Sequence, residues 1–289
     1  MNLIFVTTCK PFTDENSKII QQQSILSWYK LNNYKNIKVK IIIVGDEKGI
    51  KQFCDNNKFI NRNDIKKFLI YPYISEMLRI ANEYASNDDV IIWSNSDIIY
   101  TNSLIDTILS FKNKINSNEY LLVGERLDWK NYSKIELINA NIQKIIDDSK
   151  LHQPCGIDYL IHSKKSLINK FDKTLTMPAI IADQKILRRA MKLGVNVYNC
   201  TNTILAIHHH TGTENRSSAN FIKVKENNNK VKGGYANIKD CILISYYENG
   251  IKFKKIPYES WFNNRFDEKY LEKLKKEEIE IKVNYKKNL

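Results

Sequence analysis

The segment Val90-Ile91-Ile92-Trp93-Ser94-Asn95-Ser96-Asp97-Ile98-Ile99 sets two oxygen-bearing side chains two residues apart, between one apolar run and the next. A buried strand ending there places Asn95 and Asp97 on one side, at its carboxyl end. Hard cations such as Mn²⁺ or Mg²⁺ take oxygen ligands and share them with substrate phosphates, so one carboxylate, a diphosphate and water make a site. The same spacing also suits an Asx-rich turn that only satisfies backbone N–H groups. A second signal is Ile207-His208-His209-His210-Thr211-Gly212, which holds three of the five histidines. Neutral imidazole ligates transition metals, and in an extended segment His208 and His210 face one way while His209 faces the other. A structural polar cluster at a strand end fits the same residues. The third group is acidic: Glu125 and Asp128 around Arg126, Asp158 in Gly156-Ile157-Asp158-Tyr159, and Asp183 after Ile180-Ile181-Ala182. Carboxylates so placed accept a proton from a hydroxyl nucleophile or hold a sugar hydroxyl. Asp183 also suits simple capping of the helix it opens, and Arg126 with Asp128 a structural ion pair.

The elements that position these residues alternate between strand and helix. Residues 3–8, 39–44 and 90–93 are short, buried-type apolar strands, with a further strand across Phe68-Leu69-Ile70-Tyr71. Helical periodicity covers about 18–31, 47–54 and 74–84. Strands follow at 119–124, 159–162 and 195–198, with a helix over Asp183–Leu193 closed by Gly194. Glu226–Gly234 reads as loop, Ile242–Tyr247 as strand, and Glu268–Ile279 as a charged, solvated helix. This pattern implies an α/β fold with a mixed, mainly parallel sheet covered by helices on both faces, which binds ligands at the carboxyl ends of its strands. A boundary near residue 235 divides a domain over 1–235 from an extension over 236–289.

Composition narrows the classes. The chain has 289 residues, 43% of them hydrophobic, and no apolar run long enough to span a membrane, which excludes a disordered or membrane-spanning chain. The five cysteines are scattered without a Cys-x-x-Cys pair, so reduced thiols and a cytoplasmic location are expected; the apolar start lacks a basic leader. The formal charge of +13 comes from lysines spread along the whole chain, a bias that decides little about nucleic acid. A dinucleotide Gly-x-Gly-x-x-Gly, a Walker loop and a Gly-x-Ser-x-Gly elbow are all missing.

Taken in order, the motifs resemble a GT-A (Rossmann-like) glycosyltransferase, and within that type a nucleotide-sugar transferase group of plants, algae, protists and large DNA viruses. The residues that carry the resemblance are Phe5-Val6-Thr7-Thr8-Cys9-Lys10-Pro11-Phe12, Gln23-Ser24-Ile25-Leu26-Ser27-Trp28, Ile42-Ile43-Val44-Gly45-Asp46-Glu47-Lys48-Gly49 and Trp93-Ser94-Asn95-Ser96-Asp97-Ile98-Ile99. It continues through Leu122-Val123-Gly124-Glu125-Arg126-Leu127-Asp128, Gly156-Ile157-Asp158-Tyr159, Ala206-Ile207-His208 and Gly233-Gly234, and stops near residue 240.

The resemblance implies that Thr7, Thr8, Lys10 and Asp46 hold the nucleoside and ribose, and that Arg79 approaches a phosphate. Asn95-Ser96-Asp97 corresponds to the Asp-x-Asp metal motif, with Asp97 as the ligand of Mn²⁺ or Mg²⁺ and Asn95 on ribose or water. His208 completes the metal or diphosphate site, and Arg126 and Asp128 meet the acceptor or sugar. Asp183 stands where inverting members carry the base, but its Ala182-Asp183-Gln184-Lys185 setting departs from the group, so Asp158 is its rival. The implied activity is metal-dependent transfer from a UDP-sugar, with GDP as the second choice of nucleotide, to a hydroxyl acceptor such as a glycan, with no nucleic-acid partner. A sugar nucleotidyltransferase and a non-catalytic basic binding module centred on Lys273–Lys287 are the alternatives.

Overall fold

The computed structural model describes residues 1–129, 142–154, 156–170, 174–176, 182–209, 219–230, 235–236, 238–247, 250–255 and 268–287. Its elements in chain order are β1 (Asn2–Thr7), α1 (Glu15–Lys30), β2 (Lys38–Val44), α2 (Ile50–Asn57), β3 (Ile60–Arg62), β4 (Lys67–Phe68), β5 (Tyr71–Pro72), α3 (Ile74–Tyr84), β6 (Val90–Ser94), β7 (Ile98–Tyr100), α4 (Ser103–Lys114) and β8 (Tyr120–Val123). They continue as β9 (Leu127–Trp129), α5 (Ile142–Asp148), β10 (Lys150–Leu151), β11 (Tyr159–Ser163), α6 (Ala182–Lys192), β12 (Asn196–Asn199), β13 (Ala206–His209), α7 (Ala219–Lys230), β14 (Ile242–Tyr247), β15 (Gly250–Lys255) and α8 (Glu268–Lys287).

Nine strands form one sheet in the order β15-β14-β12-β8-β11-β6-β1-β2-β3. Five of its eight neighbouring pairs are parallel, and β11 runs antiparallel to both β6 and β8. Alternate residues of the central strands feed two cores. Leu3 and Phe5 of β1 with Val90 and Ile92 of β6 join the α1, α2 and α4 side. Ile4 and Val6 with Ile91 and Trp93 join the α3 and α6 side. A strand buried on both faces must be apolar throughout, which is why these runs do not alternate with polar residues.

Two expected elements differ. Phe68–Tyr71 is not a strand of the main sheet but the tip of a β4–β5 hairpin, with Phe68 opposite Tyr71. The third parallel strand is instead β3, paired through Ile42↔Ile60 to Val44↔Arg62, whose single apolar residue gave no strand signal. Glu226–Lys230, expected as loop, completes helix α7, where buried Asn228 ties down Thr176. Residues 231–234 of that stretch, with Gly233 and Gly234, lie outside the described residues.

A smaller sheet, β10-β9-β13-β7, crosses the carboxyl edge of the large one. Its outer side is a separate core of Ile99, Leu127, Trp129, Ile145, Ile146, Ile207, Ile281 and Tyr285, the last two from α8. The Tyr285 hydroxyl donates to the carbonyls of Thr201 and Ile204, so the C-terminal helix fastens the segment that leads into β13. Strands β14 and β15 continue the large sheet across residue 235.

Helix α1 locks β7 from the opposite side. Asp14 caps it by accepting from the Ser17 N–H at 2.7 Å. Trp28 on that helix stacks on Phe5, with centroids 4.9 Å apart, and its indole N–H donates to the Ile98 carbonyl at 2.7 Å. Replacing Trp28 by Phe keeps the ring and orphans a buried carbonyl beside Asp97. Denaturant unfolding is expected to show a loss of about 1–3 kcal/mol.

Candidate functional site

The polarity of the strands gathers the site. The carboxyl ends of β1, β2, β6, β8 and β12 lie along one edge of the sheet. Because β11 is reversed, with Tyr159 opposite Ser94, the residue that precedes it, Asp158, reaches the same edge. There the Asn95 N–H donates to the Asp158 carbonyl at 2.9 Å. The Asn95 side-chain amide donates to Asp158 Oδ1 at 2.5 Å. Gly124 makes the bend after β8: a Cβ on it would stand 1.8 Å from the Tyr159 hydroxyl. The next residues, Glu125 and Arg126, therefore turn inward and are 1% and 7% exposed.

Arg126 is neutralised on two sides. Its Nη1 donates to Asp158 Oδ2 and its Nε to Asp128 Oδ1 at 2.8 Å. Asp128 sits beside His208 in the parallel β9–β13 register and Ile98 opposite it in the antiparallel β7–β13 register, so His208 is held between the strands that carry Asp128 and follow Asp97. Its Nδ1 is 3.1 Å from Asp128 Oδ1 and its Nε2 is 3.4 Å from Asp97 Oδ2. His152 Nδ1 lies 2.6 Å from the other Asp128 oxygen. The result is a row of alternating charge: Asp158, Arg126, Asp128, His208, Asp97.

The electrostatics follow from that row. Burial pushes the Asp97 carboxyl up, but His208 beside it, then Arg126 and Lys10, pull it down to about 2. Burial alone pushes the His208 imidazole down, and the flanking Asp97 and Asp128 carboxylates raise it to about 9. Asp128 is also opposed by burial, yet hydrogen bonds from His152 and His208 and the charge of Arg126 hold it far below the usual carboxylate range. Asp183 behaves oppositely. Burial lifts it to about 7 against the backbone N–H groups of Gln184 (2.9 Å) and Ile157 (3.1 Å) that its oxygens accept. Its second bond crosses to the residue before Asp158, so it does more than cap α6.

The remaining expected residues are placed as follows. Thr7 is fully buried, and its hydroxyl donates to the Ser94 carbonyl at 2.7 Å, joining the ends of β1 and β6. Thr8 and the exposed Lys10 follow it, and Ser96 donates to Gln21 Oε1 at 3.0 Å. Asp46 stands after β2, paired with Lys67 at 2.8 Å, beside a cleft at the start of α2 that does not include Asp97. Arg79 lies on the outer face of α3, in ion pairs with Glu76, Glu83 and Asp64. His209 turns the other way from His208 and lies against the Trp129 ring, centroids 4.8 Å apart; His210 is outside the described residues. Sequence reasoning missed Gln21, whose one buried side-chain oxygen accepts from both the Lys10 N–H and Ser96, and His152, a lone histidine without a motif.

Among the described residues no group of three His, Cys, Asp or Glu side chains stands ready to enclose a cation. Two candidate donors, Asp97 and His208, face each other, and the His208 ring would give up its Nε2 proton to act as one. Asp97 Oδ1 is buried without a hydrogen-bond partner, and Oδ2 meets only the His208 ring, which Asp128 orients through its other nitrogen. One hard oxygen donor and one oriented imidazole fit Mn²⁺ or Mg²⁺ when a diphosphate and water supply the other ligands.

Asn95→Asp would recreate a two-acid motif, but sets a second carboxylate against Asp158. Two carboxylates at that distance resist ionising together, so the variant's acids take raised pKa values in the folded state. Its melting temperature is expected to fall below that of the parent at neutral pH. The gap should narrow as pH drops towards the carboxylate range, where both states are protonated. A constant gap across pH, read by calorimetry, would contradict this reading of Asn95.

No family model matches the chain, and no curated protein matches it. Solved structures of similar fold include M. tuberculosis glucosyl-3-phosphoglycerate synthase, with 12% identity, a TM-score of 0.45 and 78% of each chain covered. Another is S. aureus TarS in complex with UDP-GlcNAc, with 14% identity and a TM-score of 0.45, over 78% of this chain and 64%, just under two thirds, of that one. A further structure of the synthase, in complex with Mn²⁺, UDP and phosphoglyceric acid, has 10% identity and a TM-score of 0.44 over 89% of this chain and 87% of that one.

Proposed function

We propose that the chain is a GT-A-type glycosyltransferase that moves a sugar from a nucleotide-diphosphate donor, UDP-sugar first, to a hydroxyl acceptor such as a glycan, with Mn²⁺ or Mg²⁺. The observation that carries this reading is Asp97 at the carboxyl end of a central strand. It is a carboxylate held ionised, with one oxygen unpartnered and the other facing an oriented imidazole. Residues 1–235 would form the transferase unit, and 236–289 a buttress, supported by the packing of α8 on the small sheet. Cys9, Cys54, Cys200 and Cys241 are buried and unbridged, which agrees with a reducing, cytoplasmic setting.

In this reading Asp97 and His208 hold the cation, whose chemistry when bound is to neutralise charge on the departing diphosphate. Lys10, exposed at the end of β1 and close enough to lower the Asp97 carboxyl, adds positive charge on the donor side. Asp158 has both oxygens engaged by Arg126 and Asn95, so it suits orienting the sugar better than removing a proton. Asp183, poised near 7, suits a base that takes the proton from the acceptor hydroxyl. Arg126 and Asp128 would frame the sugar, and Thr7, Thr8, Asp46, Asn95 and Ser96 the nucleoside side. Arg79 would have to leave its three acidic partners to reach a phosphate.

Thermal shift with UDP-, GDP- and dTDP-sugars, with and without Mn²⁺, tests the donor class. A ligand at a hundredfold its Kd stabilises by about 2.7 kcal/mol. UDP-sugars with Mn²⁺ are expected to give the largest shift, and Asp97→Ala to abolish its Mn²⁺-dependent part. His208→Ala should weaken it, and His209→Ala should leave it intact. No shift with any nucleotide would remove the proposal.

Asp183→Asn removes the base and keeps one of the two oxygens that accept from the Gln184 and Ile157 N–H groups. Transfer is expected to fall roughly 10²–10⁴-fold with unchanged UDP affinity. Near-normal transfer would assign Asp183 to structure and pass the role of base to Asp158.

A further inference from the structure

The β4–β5 hairpin joins Lys67-Phe68 to Tyr71-Pro72 through only two residues, Leu69 and Ile70. These residues are 46% and 60% exposed, an adjacent pair of large aliphatic residues at the surface. Leu69 also holds φ at +58°, the only positive φ of the turn. A positive φ at the first turn residue alone is the type II′ pattern, where glycine is preferred because a Cβ crowds the backbone. An exposed leucine that strains its own backbone does nothing for the fold, and strain kept at a surface position points to function.

The stem is fixed, so the tip projects. The Tyr73 N–H donates to the Lys66 carbonyl at 3.2 Å, Tyr73 bridges to Thr176, and the Ile74 N–H donates to the Leu175 carbonyl at 2.9 Å. Lys67 is tied to Asp46 and Glu47 at 2.8 and 3.0 Å, which places the hairpin on the same edge of the sheet as the site. The acids close by are paired, Asp46 and Glu47 sharing Lys67 and Asp64 meeting Arg62, which leaves one negative charge over at the Lys67 group. Lys66 stays exposed, as do Lys10 and Lys48 on the segments after β1 and β2, and none of the three forms an ion pair among the described residues. The chain as a whole carries +13.

We propose that the Leu69–Ile70 tip is an anchor for an anionic bilayer surface. The two aliphatic side chains enter the boundary between headgroups and acyl chains, with Lys66 at headgroup level. The carboxyl edge of the sheet is then held towards the membrane. Apolar insertion combined with lysine attraction to acidic lipid is the usual chemistry of reversible surface binding. No helix among the described residues is long and apolar enough to cross a membrane, so the attachment is peripheral. Leu271, Ile279 and Val283 on α8 are exposed too, on a face of mixed sign that carries exposed Lys269, Lys273, Lys275 and Lys276 as well as Glu268, Glu272 and Glu280.

Co-sedimentation with extruded vesicles tests this without any assay of activity, and so independently of the transferase reading. The protein is expected to bind vesicles of phosphatidylcholine mixed with phosphatidylglycerol, to release in high salt, and to bind pure phosphatidylcholine weakly. The double variant Leu69→Asn, Ile70→Ser should lower binding about tenfold. Leu69→Gly alone should also weaken it while raising the melting temperature, since it relieves the positive φ. Leu271→Ser with Ile279→Ser should bind as the parent does. The proposal is overturned if the parent ignores acidic vesicles, or if the tip variants bind equally well. It also fails if the α8 variant loses as much, or if the tip variants instead convert a dimer to a monomer in sedimentation velocity.

Discussion

Arg126 is buried but for 7% of its surface, so its charge must be neutralised where it stands. Asp158 does this from the residue before β11 of the large sheet, and Asp128 from β9 of the small sheet. Burying a guanidinium is costly unless it is paired and hydrogen-bonded, and removing one partner of such a pair typically costs about 3–5 kcal/mol. The rest of the site is arranged by that requirement. Asp128, fixed by Arg126, orients His208 through Nδ1, and His208 turns Nε2 towards Asp97. Asp158, fixed by the same guanidinium, is steadied on its other oxygen by Asn95, so an amide at position 95 avoids a second carboxylate at close range.

The fold makes this meeting possible through one reversal of strand direction. In an all-parallel sheet the residue before β11 would fall at the far edge. With β11 antiparallel to β6, Asp158 arrives beside Asn95. The small sheet then supplies the opposite wall, since its two registers set His208 beside Asp128 and opposite Ile98. Two distant elements hold these parts still: Trp28 bonds the carbonyl of Ile98, and Tyr285 of the C-terminal helix bonds the segment entering β13.

What was legible in the chain divides along physical lines. Strands β1, β2 and β6 announce themselves because each carries an unbroken apolar run buried on both faces, over 3–6, 41–44 and 90–93. Strands β7, β9 and β10 are two or three residues long and carry no period, and β3 offers only Ile60 as an apolar residue. The cluster residues Asn95, Asp97, Arg126, Asp128, Asp158 and His208 could be picked out by type and order. Their pairings could not, because they depend on the direction of β11 and on the register of β13. Gln21 and His152 had no signal at all: each is a single polar residue whose role appears only when Ser96 or Asp128 is folded against it. Arg79 shows the converse, a residue marked by order alone that the fold sets among Glu76, Glu83 and Asp64.

In the proposed function this chain supplies only part of a cation's coordination, through Asp97 and His208, and the donor's diphosphate supplies more. Titration of Mn²⁺ followed by electron paramagnetic resonance, with and without UDP, tests it most directly. Weak Mn²⁺ binding to the protein alone and much tighter binding with UDP present are expected, because two protein ligands are too few and the couplings are reciprocal. That gain should vanish when either Asp97 or His208 is replaced by alanine. Mn²⁺ binding that is indifferent to UDP, or a gain that survives both substitutions, would contradict it.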